Sequence, residues 1–89
     1  MTDETWTEER LDRLFHFVCD CGLKGLYAVS RPYSSAECRF LHKGMTILEE
    51  RGVVIQVSSV EGGGEAWALS PRGMAAVVTQ AVIDKARGP

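Results

Sequence analysis

The sequence predicts an α+β domain, mainly helical with one small antiparallel β-hairpin. Three observations carry this. Cys38, Leu41, Met45 and Leu48 recur at helical spacing. After Gly52 the pattern becomes that of a strand over Val53–Val60, then a turn at Glu61-Gly62-Gly63-Gly64, then a returning strand over Glu65–Leu69. Two further apolar stripes at helical spacing flank this unit, Leu11–Val18 before it and Met74–Val82 after it.

The 89 residues amount to a single domain, 1–89, since domains commonly run ~100–150 residues. Apolar residues make up 45% of the chain, enough for a core. Domains this short sit near the lower limit of independent stability, so extra burial in a homodimer is expected. No apolar run approaches the ~20 residues a membrane helix needs, and no charged-then-apolar leader opens the chain. Three cysteines, an odd number, argue against a disulfide framework. Together these points lead us to expect a reducing, cytoplasmic setting. A formal net charge of -2 gives no global attraction for nucleic acid, so any such binding must come from a local basic patch.

In chain order, residues 1–6 are polar apart from Trp6 and are expected to fray. Thr5 with Glu8 offers a capping box, and Thr7 an alternative cap. The first helix then turns Leu11, Leu14, Phe15 and Val18 to one face and Glu9, Arg13 and His16 to the other, leaving Phe17 opposite the core. Gly22 is expected to end it. Leu23 to Ser30 reads as a short second helix with Leu23, Leu26 and Tyr27 inward, although Gly25 costs roughly 1 kcal/mol there relative to alanine. Arg31-Pro32-Tyr33 makes the turn, because proline drives its predecessor out of helical geometry. Ser34, three residues ahead of Glu37, is the expected reciprocal cap of the next helix, and Gly52 its left-handed stop.

On that helix Cys38, Leu41, Met45 and Leu48 form the inner arc, with Gly44 allowing a neighbour to approach closely. Ser35, Arg39, His42, Lys43, Thr46 and Glu50 form the outer arc, and Ala36, Phe40 and Ile47 a flank between the two. In the hairpin Val53, Ile55 and Val57 share one face and Val54, Gln56 and Ser58 the other, with Trp67 and Leu69 joining the inward side. Ser70-Pro71 opens a last helix over 70–89, a candidate dimer contact, with proline standing at its favoured first turn. Met74, Val77, Val78, Ala81 and Val82 are its stripe, Ile83 lies on the outer side, and Gly88-Pro89 stops it.

A long amphipathic helix running into a β-ribbon is the outline of a winged helix-turn-helix. Leu48-Glu49-Glu50-Arg51-Gly52-Val53-Val54, the Gly-tipped hairpin, and Ala68-Leu69-Ser70-Pro71-Arg72-Gly73 together resemble the winged-helix bacterial regulators of the MarR and PadR type. The resemblance spans about Leu11 to Met74. It implies three helices, a wing and a C-terminal helix, with the helix after Pro32 as the recognition helix of a transcriptional regulator.

Recognition by such a helix needs side chains in its first half to reach base edges while other cations hold phosphates. Arg31, Ser35, Arg39, His42, Lys43 and Thr46 are the candidate reading face for double-stranded DNA. Between residues 31 and 43, Arg31, Arg39 and Lys43 stand against Glu37 alone, a local charge of +2. A symmetric homodimer would double that supply, and Phe17, Ile83 and Trp6 are its candidate contacts. The competing reading is a protein-binding winged helix, such as a small acidic adaptor or a phage-encoded inhibitor of a nucleic-acid-binding host complex. Its candidate interface is Ala36, Phe40, Ile47, Phe17 and Ile83, and its motive is the apolar flank together with the acidic wing, Glu61 and Glu65, which would repel phosphate.

His16-x-x-Cys19 and Cys38-x-x-x-His42 each set two potential zinc ligands on one helix face, with Cys21 close by. The spacing matches no recognised zinc motif, and free cysteines of this kind are usually small buried hydrophobes, so no metal or cofactor is expected. The glycine triplet lacks the lysine and following helix of a phosphate-binding loop, and no catalytic constellation stands out. No enzyme activity is expected.

Overall fold

Serine or threonine starts each helix among the described residues. Thr7 Oγ1 accepts the Arg10 amide at 3.2 Å, Ser35 Oγ the Cys38 amide at 3.1 Å, and Ser70 Oγ the Gly73 amide at 3.0 Å. The computed structural model describes residues 5–32, 35–61 and 63–87. Their order is α1 (Glu8–Leu23), β1 (Ala28–Ser30), α2 (Ala36–Glu50), β2 (Val54–Val60), β3 (Gly64–Leu69) and α3 (Pro71–Ala86). The cap of α2 is therefore Ser35, which sets Cys38 at the third helical position; the expected cap, Ser34, lies outside the described residues. Gly88-Pro89 likewise lies outside them.

The helix expected over Leu23–Ser30 is absent. α1 runs one residue past Gly22, and the chain turns at Gly25, whose φ of 72° is open to glycine at little cost. Ala28–Ser30 then pairs antiparallel with β3, giving a three-stranded sheet in the order β1-β3-β2. The free edge of β3 decides the matter: it offers three residues a hydrogen-bonded ladder, and Ala28 and Ser30 are small enough to be buried against it. Leu23, Leu26 and Tyr27, expected inward, are instead 86%, 59% and 61% exposed.

The core is Leu11, Leu14 and Val18 from α1, Met45 and Leu48 from α2, and Ala28, Val54 and Trp67 from the three strands. Val54 is the buried residue of β2, while Ile55 and Val57 face solvent. A bulge between Gln56 and Ser58 breaks the expected alternation at Val57. Gly52, with φ 78°, ends α2 as expected, and the Ser70 hydroxyl donates to its carbonyl, tying the start of α3 to the end of α2. α3 covers little else. Gly73 is buried against Val53 and Val77 is half-buried, but Met74, Val78 and Val82 of the expected inner stripe are exposed. Among the described residues no helix is long and apolar enough to cross a membrane.

Gly44 does admit a neighbour, and that neighbour is Trp6. Its indole stacks on Phe40 with centroids 4.3 Å apart and planes 11° from parallel, and its Nε1–H donates to the Phe40 carbonyl at 2.9 Å. Trp6 thus closes over α2; it neither frays nor projects as a dimer contact.

A second tie joins the start of α1 to the end of α2. Arg51 Nη1 and Nη2 reach the two Glu8 oxygens at 2.8 and 2.5 Å, a bidentate fork. The hydrogen bonds from Arg51 hold the Glu8 carboxyl below the usual carboxylate range, and raise the guanidinium in turn. Because the folded-state value is depressed, the stabilisation is present above the ordinary value of 4.5 and is lost as pH falls through the folded one. Glu8→Gln should therefore lower the melting temperature slightly at neutral pH, and the gap should close in acid and in high salt, since the pair is exposed. Melting curves of both proteins across that pH range check this; a gap that persists in acid would assign the effect to helix capping.

Candidate nucleic-acid interface

α2 is anchored by Met45 and Leu48 and presents its opposite side to solvent. Arg39 and Lys43 stand there one turn apart, both exposed. Arg31 leaves the end of β1, exposed, with its stem packed against Gly64 where the hairpin returns; a Cβ on Gly64 would lie 2.9 Å from Arg31 Cγ. Among the described residues, none of these three has an ion-pair partner. Arg13 and Arg51, by contrast, are engaged by Glu9 and Glu8. Of the three cations read from the sequence, Arg39 and Lys43 thus stand on α2, and Arg31 directly follows β1, the strand that packs against α2.

The neutral members of the expected reading face are placed differently. His42 does not point outward. Its Nδ1 lies 3.0 Å from Ser30 Oγ and 3.4 Å from Glu65 Oε2, and its ring meets Trp67 edge-on at 6.0 Å. Beneath it Trp67 Nε1 donates to the same Ser30 hydroxyl at 2.6 Å, with Ser30 only 1% exposed. The physical reason is the unexpected strand: β1 brings a buried hydroxyl under α2, and an imidazole is the side chain there that can satisfy it. Thr46 is also withdrawn, its hydroxyl donating to the His42 carbonyl at 3.0 Å. Ser35 remains at the helix start, accepting the Cys38 amide.

This network alters the exposure of the wing's acidic residues as well. Glu65 is half-buried and faces His42, so of the two acidic wing residues Glu61 alone is fully exposed. Ser30, His42 and Glu65 are residue types found in acyl-transfer triads. Here, however, hydroxyl and carboxylate meet the same ring nitrogen and the serine is sealed under Trp67, so no proton relay across the imidazole is built.

The flank proposed as a protein anchor is occupied. Phe40 is half-buried under Trp6, with the Arg10 guanidinium 6.0 Å from its ring, and Ile47 packs against the core; Ala36 is exposed at the first turn. Phe17 and Ile83 are 48% and 39% exposed, on the outer sides expected for them. The zinc ligands do not converge. His16 turns to its own helix, 2.9 Å from the Asp12 carbonyl, and among the described residues no three of His, Cys, Asp and Glu are placed to hold a metal. Burial pushes the Cys19 thiol up, with Asp20 and Asp12 adding to it, which keeps it protonated and a poor nucleophile at neutral pH. The Ser30–His42 contact had no sequence signal, because its hydroxyl lies on a segment that reads as helix.

Comparison with known protein families, with curated proteins and with solved structures finds no match for this chain.

Proposed function

We propose that the chain is a winged helix that binds double-stranded DNA through α2 and the adjoining end of β1, as a transcriptional regulator does. The observation that carries the reading is the trio Arg31, Arg39 and Lys43, exposed and without ion-pair partners among the described residues. Such cations release condensed counterions on meeting phosphates, which is the main source of DNA affinity. The Ser35 hydroxyl spends a lone pair on capping and keeps its proton for a phosphate oxygen. The placement of Glu65 against His42 supports the reading further, since it withdraws one of the wing's two carboxylates from the surface that a duplex would meet. With His42 and Thr46 turned inward, contacts to the backbone outweigh contacts to base edges.

Fluorescence anisotropy of a labelled random-sequence duplex, titrated at low and moderate salt, tests this. Binding of micromolar order is expected, with log K falling against log salt at a slope of about −3 per copy. Replacing both Arg39 and Lys43 by alanine should weaken binding and flatten that slope by about 2. A wild-type chain without salt-dependent binding, or a double variant that binds like wild type, would overturn the assignment.

A further inference from the structure

From Gly73 to Ile83 α3 carries no charged residue, yet Met74, Val78 and Val82 are 57%, 61% and 61% exposed. A helix apolar over so much of its circumference is normally covered. Met74 and Val78 of this stripe form one wall of a groove of about 450 Å³, whose other walls are the end of α1, the loop to β1, and β3. Among the described residues its lining has no charged side chain either, and Leu23, Leu26 and Tyr27 stand open along it. The radius of gyration, 14.0 Å, exceeds the roughly 12 Å expected of a compact chain of this length.

We propose that this groove is a homodimer interface: the Met74–Val78–Val82 stripe of one copy seats in the groove of a second, and the second returns the contact. Two arguments select a second copy as the occupant. The first is chemical complementarity. An uncharged helix enters an uncharged groove, so no charge is buried on either side of the two-fold axis, and the chain carries both halves of the contact. The second is area. At ~100 Å² of apolar surface per large side chain, the six open ones, Leu23, Leu26, Tyr27, Met74, Val78 and Val82, offer roughly 400 Å² per copy. Two copies bring about 800 Å², and at an apolar share near 60% this corresponds to a total interface of roughly 1,300 Å², within the range of stable complexes. Neither Phe17 nor Ile83 lines the groove. The proposal stands independently of DNA binding, and would double the cations available to a duplex.

Sedimentation equilibrium of the full chain without DNA tests it. The wild type should dimerise with a dissociation constant of micromolar order. Val78→Glu on the stripe and Leu23→Glu on the groove should each raise that constant at least a hundredfold, with unchanged far-UV circular dichroism, because both side chains are exposed in the single copy. Phe17→Ala should change nothing. A monomeric wild type overturns the proposal, including one whose groove takes up the apolar dye ANS and so awaits some other occupant. A dimer that survives Leu23→Glu, or is broken by Phe17→Ala, overturns it as well by moving the interface elsewhere.

Discussion

Trp67→Ala is expected to remove about 3–5 kcal/mol of stability, the cost of deleting a buried tryptophan. A chain of 89 residues carries only ~4–13 kcal/mol in total, so the variant should be partly or wholly unfolded at 37 °C. The position justifies the upper part of that range. Trp67 is 2% exposed, belongs to the central strand β3, and pairs with Ala28 on one side and Gln56 on the other. Its indole N–H also satisfies the buried Ser30 hydroxyl. Trp67→Phe keeps most of the apolar surface and should lose less, through the missing donor and the shape change. Ser30→Ala should cost about 1–3 kcal/mol by leaving the indole N–H unpaired. Combining Trp67→Phe with Ser30→Ala should cost less than the two separately, because each strips the other's partner. Urea denaturation of the three variants and the wild type gives the coupling; strict additivity would mean that the bond contributes nothing.

Gly44→Ala should destabilise the chain by about 1–3 kcal/mol, even though alanine is the better helix former by up to ~1 kcal/mol. A Cβ at Gly44 would stand 2.5 Å from Trp6 Cε2 and 2.7 Å from Leu14 Cδ2, inside any real contact distance. The indole cannot slide aside cheaply, since it is stacked on Phe40 and hydrogen-bonded to the Phe40 carbonyl. The Leu14 methyl is the end of a flexible side chain and can give. This asymmetry predicts a reversal of sign. In a Trp6→Ala background, Gly44→Ala should become neutral or stabilising, because helix propensity is then opposed by Leu14 alone. Thermal melts of the four proteins in that cycle decide it. A glycine variant as damaging without Trp6 as with it would place the clash elsewhere.

These two sites mark the limits of sequence reading in this protein. Gly44 was legible as a point of close approach because a glycine on the inner arc of an amphipathic helix has few other uses. Which residue approaches was not, since Trp6 lies far off in sequence and its six-residue context reads as a fraying end. Arg39 and Lys43 were legible as exposed cations from helical spacing alone. His42 shares that spacing, yet its long, rotatable ring can swing to either side of α2, and only a partner beyond the helix selects one.

The local signals of the chain determined its local structure: hydroxyl caps, the stop at Gly52, the Gly-tipped hairpin and the stripes of α1 and α2 all follow from steric and periodic rules that act within a few residues. Tertiary structure decided what those rules leave degenerate. It made a strand of Ala28–Ser30 because the edge of β3 offered a ladder, and it turned His42 inward because that strand brought a hydroxyl to be satisfied. It also left the stripe of α3 uncovered, because helical spacing specifies an apolar face but cannot say whether the surface that covers it belongs to the same copy.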